Sequence, residues 1–417
     1  MNYDKIVKLG GEFMQAKNII DKKDNSNIIG LGRIAKLEKE KDNMVINSTS
    51  GMLYSEDGNL FSYKSVDKAI SLLTPEEKYA YSPTGGTEIF HNSIKKWVFG
   101  EFYDSFKEYT KVLPTPGGTG ALSNAFSNFL NDDDYCLLPD YMWTNYKQIL
   151  FESNKKYKTY KLFNDSGSFN LKDLEKVALD VINKNKRVMI LINDPAENPT
   201  GYSLKTNEIK RLVNLLNKLS NIGETILVID MAYIDYADKY ERTRLNLSKY
   251  LNLNPEVLTV FAFSASKSFG LYGLRVGAEI IYTKNKEVLE KSYDANVFSS
   301  RSRWSNTSSI GINIITKILN DEILKKKYLS ELNKSRLMLK KRADIFKAKM
   351  KELNLDYIPY KTGFFVTIKA DNPEELAEKL RHDKLHIVPF ENSIRITLAS
   401  ITLDEVLRIP DILKKVI

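Results

Sequence analysis

The sequence contains little of what several classes of protein depend on. Its 417 residues include one cysteine, Cys136, so no disulfide can form within the chain. No segment reaches the run of about 18 apolar residues that a membrane-spanning helix requires. The first residues contain no apolar stretch that resembles a signal peptide. We therefore expect a cytoplasmic protein that has no internal disulfide and no membrane partner.

Histidine is also scarce, because only three are present. His382 and His386 have the spacing of a helical zinc motif. However, residues 385–389 have the pattern of a strand, which would separate the two imidazoles. A zinc site needs three or four converging ligands, so we predict that no metal is bound.

Positive charge exceeds negative charge by only 62 − 53 = 9. The lysines are spread along the whole chain, and runs such as residues 325–327 lie within amphipathic helix patterns. A nucleic-acid-binding protein would gather this charge on one surface or in a known module. The charge pattern therefore predicts solvated helix faces and no nucleic-acid partner.

The sequence does contain enough apolar residues for a large core, because they make up 42% of the chain. Short apolar runs with strand character occur at 135–138, 187–193, 225–231 and 258–263. Helical patterns such as 207–220 separate several of them. This alternation predicts an α/β fold with a mostly parallel sheet that is covered by helices on both faces. Ligands of such sheets bind at the carboxyl ends of the strands.

The pattern changes after about Trp304. A long helix with one apolar stripe is followed by a strand at 364–368, a helix at 374–382, a strand at 394–398 and a last helix from Leu403. We predict a smaller α+β domain at 311–417 and a large domain at 61–310. Residues 1–60 are predicted to join the small domain or to reach a partner subunit.

The most informative segment runs from Ser264 to Arg275. Lys267 follows an apolar run that we interpret as a buried strand. Ser264 and Ser266 lie just before Lys267 in the sequence. A lone buried lysine is unfavourable unless its site offers it a role. One such role is a covalent imine with an aldehyde cofactor, whose phosphate would suit the two hydroxyls and Arg275. The segment predicts a pyridoxal-phosphate enzyme.

Two further segments contain groups that this cofactor needs. The glycine-rich residues 115–120 precede a helical stretch at 121–130 and suit a phosphate, although such a turn is commonly structural. Asp230 ends a strand and can pair with a protonated ring nitrogen, which lets the ring accept electrons. Tyr233 can hydrogen-bond the phenolic oxygen of the ring. The alternatives are a helix cap for Asp230 and core packing for Tyr233.

Two residues are candidates for holding a carboxylate. Asn198 lies in a turn-rich segment after a strand, where its amide could hold the ring oxygen and a substrate carboxylate. Arg395 lies in a late strand between apolar neighbours and needs a partner. A bidentate carboxylate is the natural partner, although a structural ion pair would satisfy Arg395 equally.

The order and spacing of these segments resemble the fold-type I pyridoxal-phosphate aminotransferases, class I/II, in the aspartate/aromatic branch. The resemblance implies a mostly parallel seven-stranded sheet flanked by helices, with a smaller α+β domain. The matching stretches are residues 115–122, 198–201, 230–233, 264–267 with 275–277, Arg301 with 304–306, and Arg395.

The resemblance also implies roles for individual residues. Lys267 would carry the cofactor as an aldimine and then move a proton. Asp230 would pair with the pyridine nitrogen, while Tyr233 and Asn198 would hold the ring oxygen. The implied phosphate ligands are Gly118, Thr119, Ser264, Ser266 and Arg275.

An aromatic residue would stack on the cofactor ring, and Trp143 matches it. Two extra residues separate Trp143 from Pro139 in comparison with the aspartate enzymes, so Tyr141 remains a rival. Tyr81 resembles the tyrosine that reaches the phosphate of the neighbouring subunit. The resemblance therefore implies a homodimer with shared active sites.

The remaining implied residues bind substrate. Arg395 would hold the α-carboxylate, with Gly51 nearby. Arg301 would bind a distal carboxylate across the dimer, with Arg303 as a second candidate and a solvated or structural arginine as the alternative. Glu197 stands where the aspartate enzymes have a histidine, which argues against strict aspartate specificity.

These residues predict a transaminase that moves an amino group between an L-amino acid, acidic or aromatic, and a 2-oxo acid. A pyridoxal-phosphate-dependent lyase that eliminates a thiol or a related group would use the same residues. A non-catalytic relative that binds the cofactor or another ligand is a third possibility. Residues 264–267 and 361–363 also fit short motifs of serine acyl-transfer enzymes, although the third element of that set is missing.

Overall fold

Strands and helices alternate along most of residues 27–237 and 239–417, which are the residues that the computed structural model describes. The strands are β1 Ile46–Asn47, β2 Thr110–Thr115, β3 Tyr135–Pro139, β4 Lys156–Tyr160, β5 Arg187–Asn193, β6 Glu224–Asp230, β7 Val257–Ser264, β8 Gly277–Tyr282, β9 Phe365–Lys369, β10 Leu385–His386, β11 Val388–Phe390 and β12 Ser393–Thr397. The α-helices are α1 Asn27–Lys41, α2 Lys64–Leu72, α3 Pro75–Tyr79, α4 Glu88–Phe99, α5 Tyr103–Phe106, α6 Gly117–Phe129, α7 Asn145–Glu152, α8 Leu171–Asn185, α9 Thr206–Ser220, α10 Tyr240–Leu247, α11 Ala265–Ser268, α12 Lys286–Arg303, α13 Ser309–Asn320, α14 Glu322–Glu352, α15 Pro373–His382 and α16 Leu403–Val416.

Seven strands form the main sheet, in the order β2-β8-β7-β6-β5-β3-β4. The pairs from β4 through β7 are parallel, whereas β8 runs antiparallel to both of its neighbours. The sequence-based prediction of a mostly parallel seven-stranded sheet flanked by helices is confirmed.

The central strands are buried on both faces. All eight residues of β7 are buried, and so are all residues of β6 except Glu224. Alternate residues contribute to two separate apolar clusters, since Ile190 packs in one cluster and Leu191 in the other. Helices therefore cover the sheet on both sides, which is why these strands read as continuous apolar runs.

The register of the parallel strands aligns their carboxyl ends. Asn193 at the end of β5 lies opposite Asp230 at the end of β6, and Asp230 lies opposite Ala262, two residues before the end of β7. Lys267 follows β7 within the short helix α11. The predicted cofactor residues on these strands therefore converge on one edge of the sheet, as expected for an α/β protein.

The helix after the glycine-rich segment begins earlier than predicted. We expected it at 121–130, but α6 begins at Gly117, so the glycines themselves form its first turn. Gly117 has a φ of +70°, a conformation that residues with a side chain rarely adopt. This conformation lets the chain turn from β2 directly into the helix.

The C-terminal part contains a three-stranded antiparallel sheet in the order β11-β12-β9. The stretch before residue 60 is attached to this part, because β1 pairs with β10 and Arg342 of α14 contacts Glu56. The assignment of residues 1–60 to the small domain or to a partner subunit stays a prediction. The domain boundaries themselves stay predictions, and residues 1–26 lie outside the described residues.

The long helix is α14, whose buried residues include Leu332, Leu339 and Phe346. Ser335 on the same helix is also buried, whereas the adjacent Arg336 is only partly buried. None of the described helices combines the length and the apolar character needed to cross a membrane.

The two histidines of the zinc-like motif lie on different elements, as predicted. His382 is the last residue of α15, whereas His386 is in β10, with its Nε2 2.8 Å from an oxygen of Glu38. His386 therefore takes part in a side-chain contact with α1.

Candidate active site

The amine of Lys267 lies among aromatic rings and other charged groups. Its Nζ is 5.3 Å from the ring centre of Tyr272 and 5.8 Å from that of Tyr233. Within the part of the chain that the structure describes, no carboxylate forms an ion pair with it. Burial, and after it the positive charge of Arg275, lowers the pKa of Lys267 to about 8. A substantial fraction of this amine is therefore neutral near physiological pH.

Asp230 ends β6 and is 95% buried, with an exposed fraction of 5%. Its Oδ2 accepts a hydrogen bond from the hydroxyl of Tyr146 at 2.6 Å, and its Oδ1 accepts one from the backbone N–H of Ala232 at 3.0 Å. Burial raises the pKa of Asp230, while these two donors and the charge of Lys267 act in the opposite direction. A further cation at this carboxyl would favour its ionised form.

An anion-binding cradle forms where the first turn of α6 meets Ser264, Ser266 and Arg275. No side chain caps the N-terminus of α6, so its first N–H groups, which include those of Gly118 and Thr119, are available for an anion. Arg275 donates from Nη1 to the hydroxyl of Ser266 at 3.1 Å.

Gly117 is needed at this cradle because its backbone and the guanidinium of Arg275 approach each other closely. A Cβ atom at Gly117 would lie 2.7 Å from Nη2 of Arg275. A Cβ at Gly118 would lie 3.5 Å from Cβ of Ser264, which is ordinary contact. Gly117 therefore lets the arginine lie against the start of the helix, where its charge adds to that of the N–H groups.

Arg395 is 97% buried, and no carboxylate forms an ion pair with it among the described residues. It donates from Nη1 to Oδ1 of Asn198 and from Nη2 to the carbonyl oxygen of Thr49, each at 3.1 Å. Its Nε has no partner in the described structure. Burial lowers the pKa of Arg395 to about 10, although nearby Tyr233 and Glu197 oppose this shift.

The structural ion pair that could have explained Arg395 is thus not found in the described residues. The guanidinium lies over the ring of Phe365, with 4.3 Å between Cζ and the ring centre. A buried cation with an unused donor is a favourable site for a carboxylate. Asn198 is beside it, as predicted.

Trp143 and Tyr141 lie in different surroundings. Trp143 contacts the ring of Tyr146 edge to face, with 5.4 Å between centres, and Tyr146 is the residue that binds Asp230. Tyr141 instead packs against Phe163 at 6.0 Å. These contacts favour Trp143 as the residue that stacks on the cofactor ring, which stays a prediction.

A cavity of about 760 Å³ opens beside Lys267. Ser266, Arg275, Tyr272 and Gly51 line it, together with one face of α1. Gly51 therefore lines the same cavity as Lys267, and its part in substrate binding beside Arg395 stays a prediction. The cavity is large enough for an amino acid and a bound cofactor of ordinary size.

Tyr81 and Arg301 do not line this cavity. Tyr81 has an exposed fraction of 91%, and Arg301 is exposed and donates to the hydroxyl of Ser305 at 2.7 Å. The two segments meet, because Asn306 accepts from Arg301 and donates to the carbonyl of Ser82. Both residues implied to serve a partner subunit therefore lie on one surface, which we call the Tyr81–Arg301 surface.

Arg303, the second candidate for the distal carboxylate, has partners within the chain. Its Nη1 donates to the carbonyl of Ser123 at 3.0 Å and to Oδ1 of Asn124 at 3.2 Å, both on α6. Arg303 therefore holds α12 against α6, and the structural interpretation of this residue is favoured.

Sequence reasoning missed three residues of the site: Tyr146, Tyr272 and Thr49. Tyr146 follows Trp143 by one helical turn, and that spacing could have indicated it. Tyr272 lies inside the segment already singled out around Lys267, and its hydroxyl accepts the N–H of Leu53 at 3.0 Å. Thr49 acts through its backbone carbonyl, for which the sequence holds no signal.

The donor set fits the cofactor that the sequence predicts. The cradle suits a phosphate, the buried carboxyl of Asp230 suits a cationic ring nitrogen, and the amine of Lys267 suits an aldehyde. The unpaired Nε of Arg395 leaves room for a substrate carboxylate. No such set is expected from core packing alone, since each charged group would then have an internal partner.

Comparisons with known proteins identify the family. The family model for aminotransferase class I and II matches residues 44–413. An aromatic-amino-acid aminotransferase of Paracoccus denitrificans is 27% identical over 263 residues, a match that spans 63% of this chain and 64% of that protein. The chain thus covers less than two thirds of this relative. Aspartate aminotransferases are among the other relatives, such as that of Haemophilus influenzae.

Solved structures show the same fold. An aminotransferase from Anaerococcus prevotii is 29% identical, with a TM-score of 0.93 over 97% of this chain and 99% of that one. An aromatic-amino-acid aminotransferase from Burkholderia pseudomallei, covalently bound to pyridoxal phosphate, is 19% identical, with a TM-score of 0.81 over 97% and 100% of the two chains. Since the family model covers most of its length, the chain belongs to the aminotransferase class I and II family.

Proposed function

We propose that this pyridoxal-phosphate-dependent aminotransferase moves an amino group from an acidic or aromatic L-amino acid to a 2-oxo acid. The observation that carries the proposal is the position of Lys267, whose amine lies at the strand ends together with Asp230, the anion cradle and the unpaired Arg395. When bound, pyridoxal phosphate supplies an aldehyde that condenses with amines and a ring that accepts electrons.

Lys267 is the proposed base and acid of the reaction. Its lowered pKa of about 8 leaves enough neutral amine to take a proton from the α-carbon of the substrate and to return it elsewhere. Positioned proton transfer of this kind contributes about 10² to 10⁴ in rate. The rings of Tyr272 and Tyr233 lie beside the amine.

Asp230 and the cradle are proposed to hold the cofactor. Asp230 would face the ring nitrogen, with Tyr146 fixing the orientation of its carboxyl group. The cradle of Gly118, Thr119, Ser264, Ser266 and Arg275 would hold the phosphate. Tyr233 and Asn198 would donate to the ring oxygen, and Trp143 would cover one face of the ring.

Arg395 is proposed to bind the α-carboxylate of the substrate. Its Nη1 and Nη2 are oriented by Asn198 and Thr49, and the side chain is almost fully buried. A carboxylate in this place would restore the charge balance that the described residues do not provide. The same arginine can hold the amino acid and the 2-oxo acid, because both carry this carboxylate.

We propose a homodimer in which the Tyr81–Arg301 surface reaches the partner's site. Tyr81 and Arg301 are both exposed on one surface and are therefore accessible to a neighbouring subunit, which supports the proposal. The cytoplasmic location predicted from the sequence stays a prediction. Arg301 does not line the Lys267 cavity of its own chain, so it could bind a distal carboxylate only in the site of a partner subunit.

Subunit complementation tests the shared site. Lys267→Ala and Tyr81→Ala proteins are mixed, unfolded and refolded together. If Tyr81 serves the partner, each mixed dimer contains one intact site, and activity rises well above that of either variant alone. If Tyr81 serves its own subunit, no intact site forms and activity stays at the level of the separate variants. Sedimentation shows whether dimers form at all.

Transamination is tested against elimination with one panel of amino acids. The proposal expects an oxo acid to form only when 2-oxoglutarate is added. Release of ammonia or a thiol without an acceptor would instead identify an eliminating lyase, which the same residues could support. Borohydride treatment followed by peptide mapping should place a pyridoxyl group on Lys267. A fixed pyridoxyl group without turnover of any amino acid would indicate a non-catalytic relative.

A further inference from the structure

One wall of the cavity beside Lys267 contains none of the residues that are proposed to hold the cofactor or the α-carboxylate. One face of α1 forms this wall, and the residues of α1 on it are Gly32, Arg33, Lys36, Lys39 and Glu40. They recur at the three- and four-residue spacing of a single helix face. Basic residues at this spacing therefore face the cavity that Lys267 also lines.

Helix α1 is fixed to the C-terminal part by its other contacts. Glu38 binds Nη2 of Arg381 at 2.7 Å and Nε2 of His386 at 2.8 Å. Lys39 pairs with Glu405, and Ala35 is fully buried. The position of the helix relative to the cavity is therefore determined by several independent contacts.

Arg33 and Lys36 differ from the other charged residues of this helix. Within the described residues, neither forms an ion pair or a hydrogen bond, whereas Glu38 and Lys39 both do. Among the described residues, Glu40 on the same face is likewise without an ion-pair partner. Because Lys39 is neutralised by Glu405, two free cations oppose one free carboxylate along this wall.

The wall lies close to the proposed α-carboxylate site. The backbone carbonyl of Thr49 accepts from Arg395, and Gly32 packs against the same threonine, since a Cβ at Gly32 would lie 3.3 Å from its Oγ1. One residue thus separates Arg395 from α1. Arg395 itself does not line the cavity, but Thr49 does, so a substrate that reaches from Arg395 to Lys267 would enter the space that α1 bounds.

We propose that Arg33 and Lys36 form a subsite, within the same subunit, for the side-chain carboxylate of a dicarboxylic amino acid. The inference rests on the proposed transamination only for the orientation of the substrate. It makes acidic amino acids and their 2-oxo acids the preferred substrates. It also assigns this preference to residues that the Tyr81–Arg301 surface does not contain.

The first test measures binding without turnover. Glutarate, which has two carboxylates, and butyrate, which has one, are titrated calorimetrically into the holoenzyme and into Arg33→Gln/Lys36→Gln. Glutamine keeps the length and the helix propensity of these positions. Loss of charge-assisted hydrogen bonds should weaken glutarate binding at least about tenfold, with butyrate binding unchanged.

The second test measures single turnovers of the holoenzyme without added oxo acid, and compares the second-order rate constants for conversion of the bound cofactor by glutamate and by phenylalanine. The double variant should lose at least about tenfold on glutamate relative to phenylalanine. Lys41→Gln is the matched control, because Lys41 ends the same helix but does not line the cavity. Thermal unfolding of each variant shows whether the fold is retained.

The outcomes separate the subsite from the proposed function. Equal weakening of glutarate and butyrate, or equal loss on both amino acids, would overturn the subsite even if transamination is found. A selective loss on glutamate in Arg301→Ala but not in the double variant would overturn it as well. If no amino acid is transaminated, a glutarate preference that disappears in the double variant would still establish the subsite.

Discussion

Two buried regions of this protein differ in whether their charged residues are paired with a counter-ion. In one, Arg244 forms an ion pair with Asp235 at 2.8 Å, and both side chains are almost fully buried. In the other, Arg395 and Lys267 lie at the edge of the main sheet without an internal carboxylate partner among the described residues. The first region completes its own charge balance, and the second leaves the balance to a ligand.

The contrast extends to the surroundings of each group. Arg244 also donates to the carbonyl of Trp97 and lies 3.8 Å from the ring centre of Tyr240, which leaves only Nη1 unpaired. Asp235 accepts from the indole N–H of Trp97 at 3.0 Å. Around Lys267 and Arg395, burial instead lowers the pKa of both cations. A buried cation without a counter-ion is costly, so its persistence points to function.

The largest expected effect is on turnover, at the unpaired lysine. Lys267→Ala should lower kcat by at least about 10² to 10⁴, because the positioned proton carrier is removed. Lys361→Ala is the matched control, since desolvation also lowers the pKa of Lys361, but its side chain is exposed and donates to the carbonyl of Ser203. We expect the control to stay within a few-fold of the parent in a steady-state assay. Undiminished transamination by Lys267→Ala would refute the role of this amine.

The next effect concerns stability in the paired region. Asp235→Ala should lower the free energy of unfolding by about 3 to 5 kcal/mol, because Arg244 is left buried without its counter-ion. Asp235→Ala/Arg244→Leu should recover part of this loss. Urea denaturation measures both. A loss below about 1 kcal/mol in the single variant would show that this pair is not a closed structural unit.

At Arg395 the effect should fall on substrate binding rather than on stability. Arg395→Ala should lower kcat/KM by about 10² to 10³, as expected when one partner of a buried charge contact is truncated. Its free energy of unfolding should change much less than that of Asp235→Ala, because no internal carboxylate loses a partner. A large loss of stability with an unchanged kcat/KM would mean that Arg395 is structural after all.

The smallest effect is a pH dependence of stability that the Lys267 amine confers. In the protein without cofactor, its folded-state pKa is about 8, below the ordinary value of 10.5. Between these values the unfolded chain binds a proton that the folded chain lacks, so the contribution of this group to the free energy of unfolding rises with pH. Below about pH 8 both states are protonated and the penalty is constant.

Lys267→Met removes this titration. The variant should therefore be more stable than the parent at pH 7, by at most about 3 kcal/mol, and the gap should narrow as pH rises from about 8 towards 10.5. Denaturation curves at several pH values measure the gap. A gap that widens with pH would show that the folded state does not disfavour the charged amine.

The sequence alone was sufficient for the fold class and for most of the residues at the strand ends. Parallel strands buried on both faces are continuous apolar runs, so 187–193 and 258–263 could be located without a structure. Asp230 and Lys267 follow such runs, and the geometry of a parallel sheet brings its carboxyl ends together. The helix start at Gly117 was misplaced, because a glycine-rich turn and the first turn of a helix look alike in sequence.

Whether a charged residue is paired was decided by the tertiary structure alone. Arg244, Arg303 and Arg395 are the same residue type, and no local pattern distinguishes them. Their partners lie 9, 179 and 197 positions away, at Asp235, Asn124 and Asn198. The wall formed by Arg33 and Lys36 likewise depends on contacts of α1 with residues more than 300 positions distant. Local periodicity fixes the strands and helices, whereas only long-range packing determines which charges are left for a ligand.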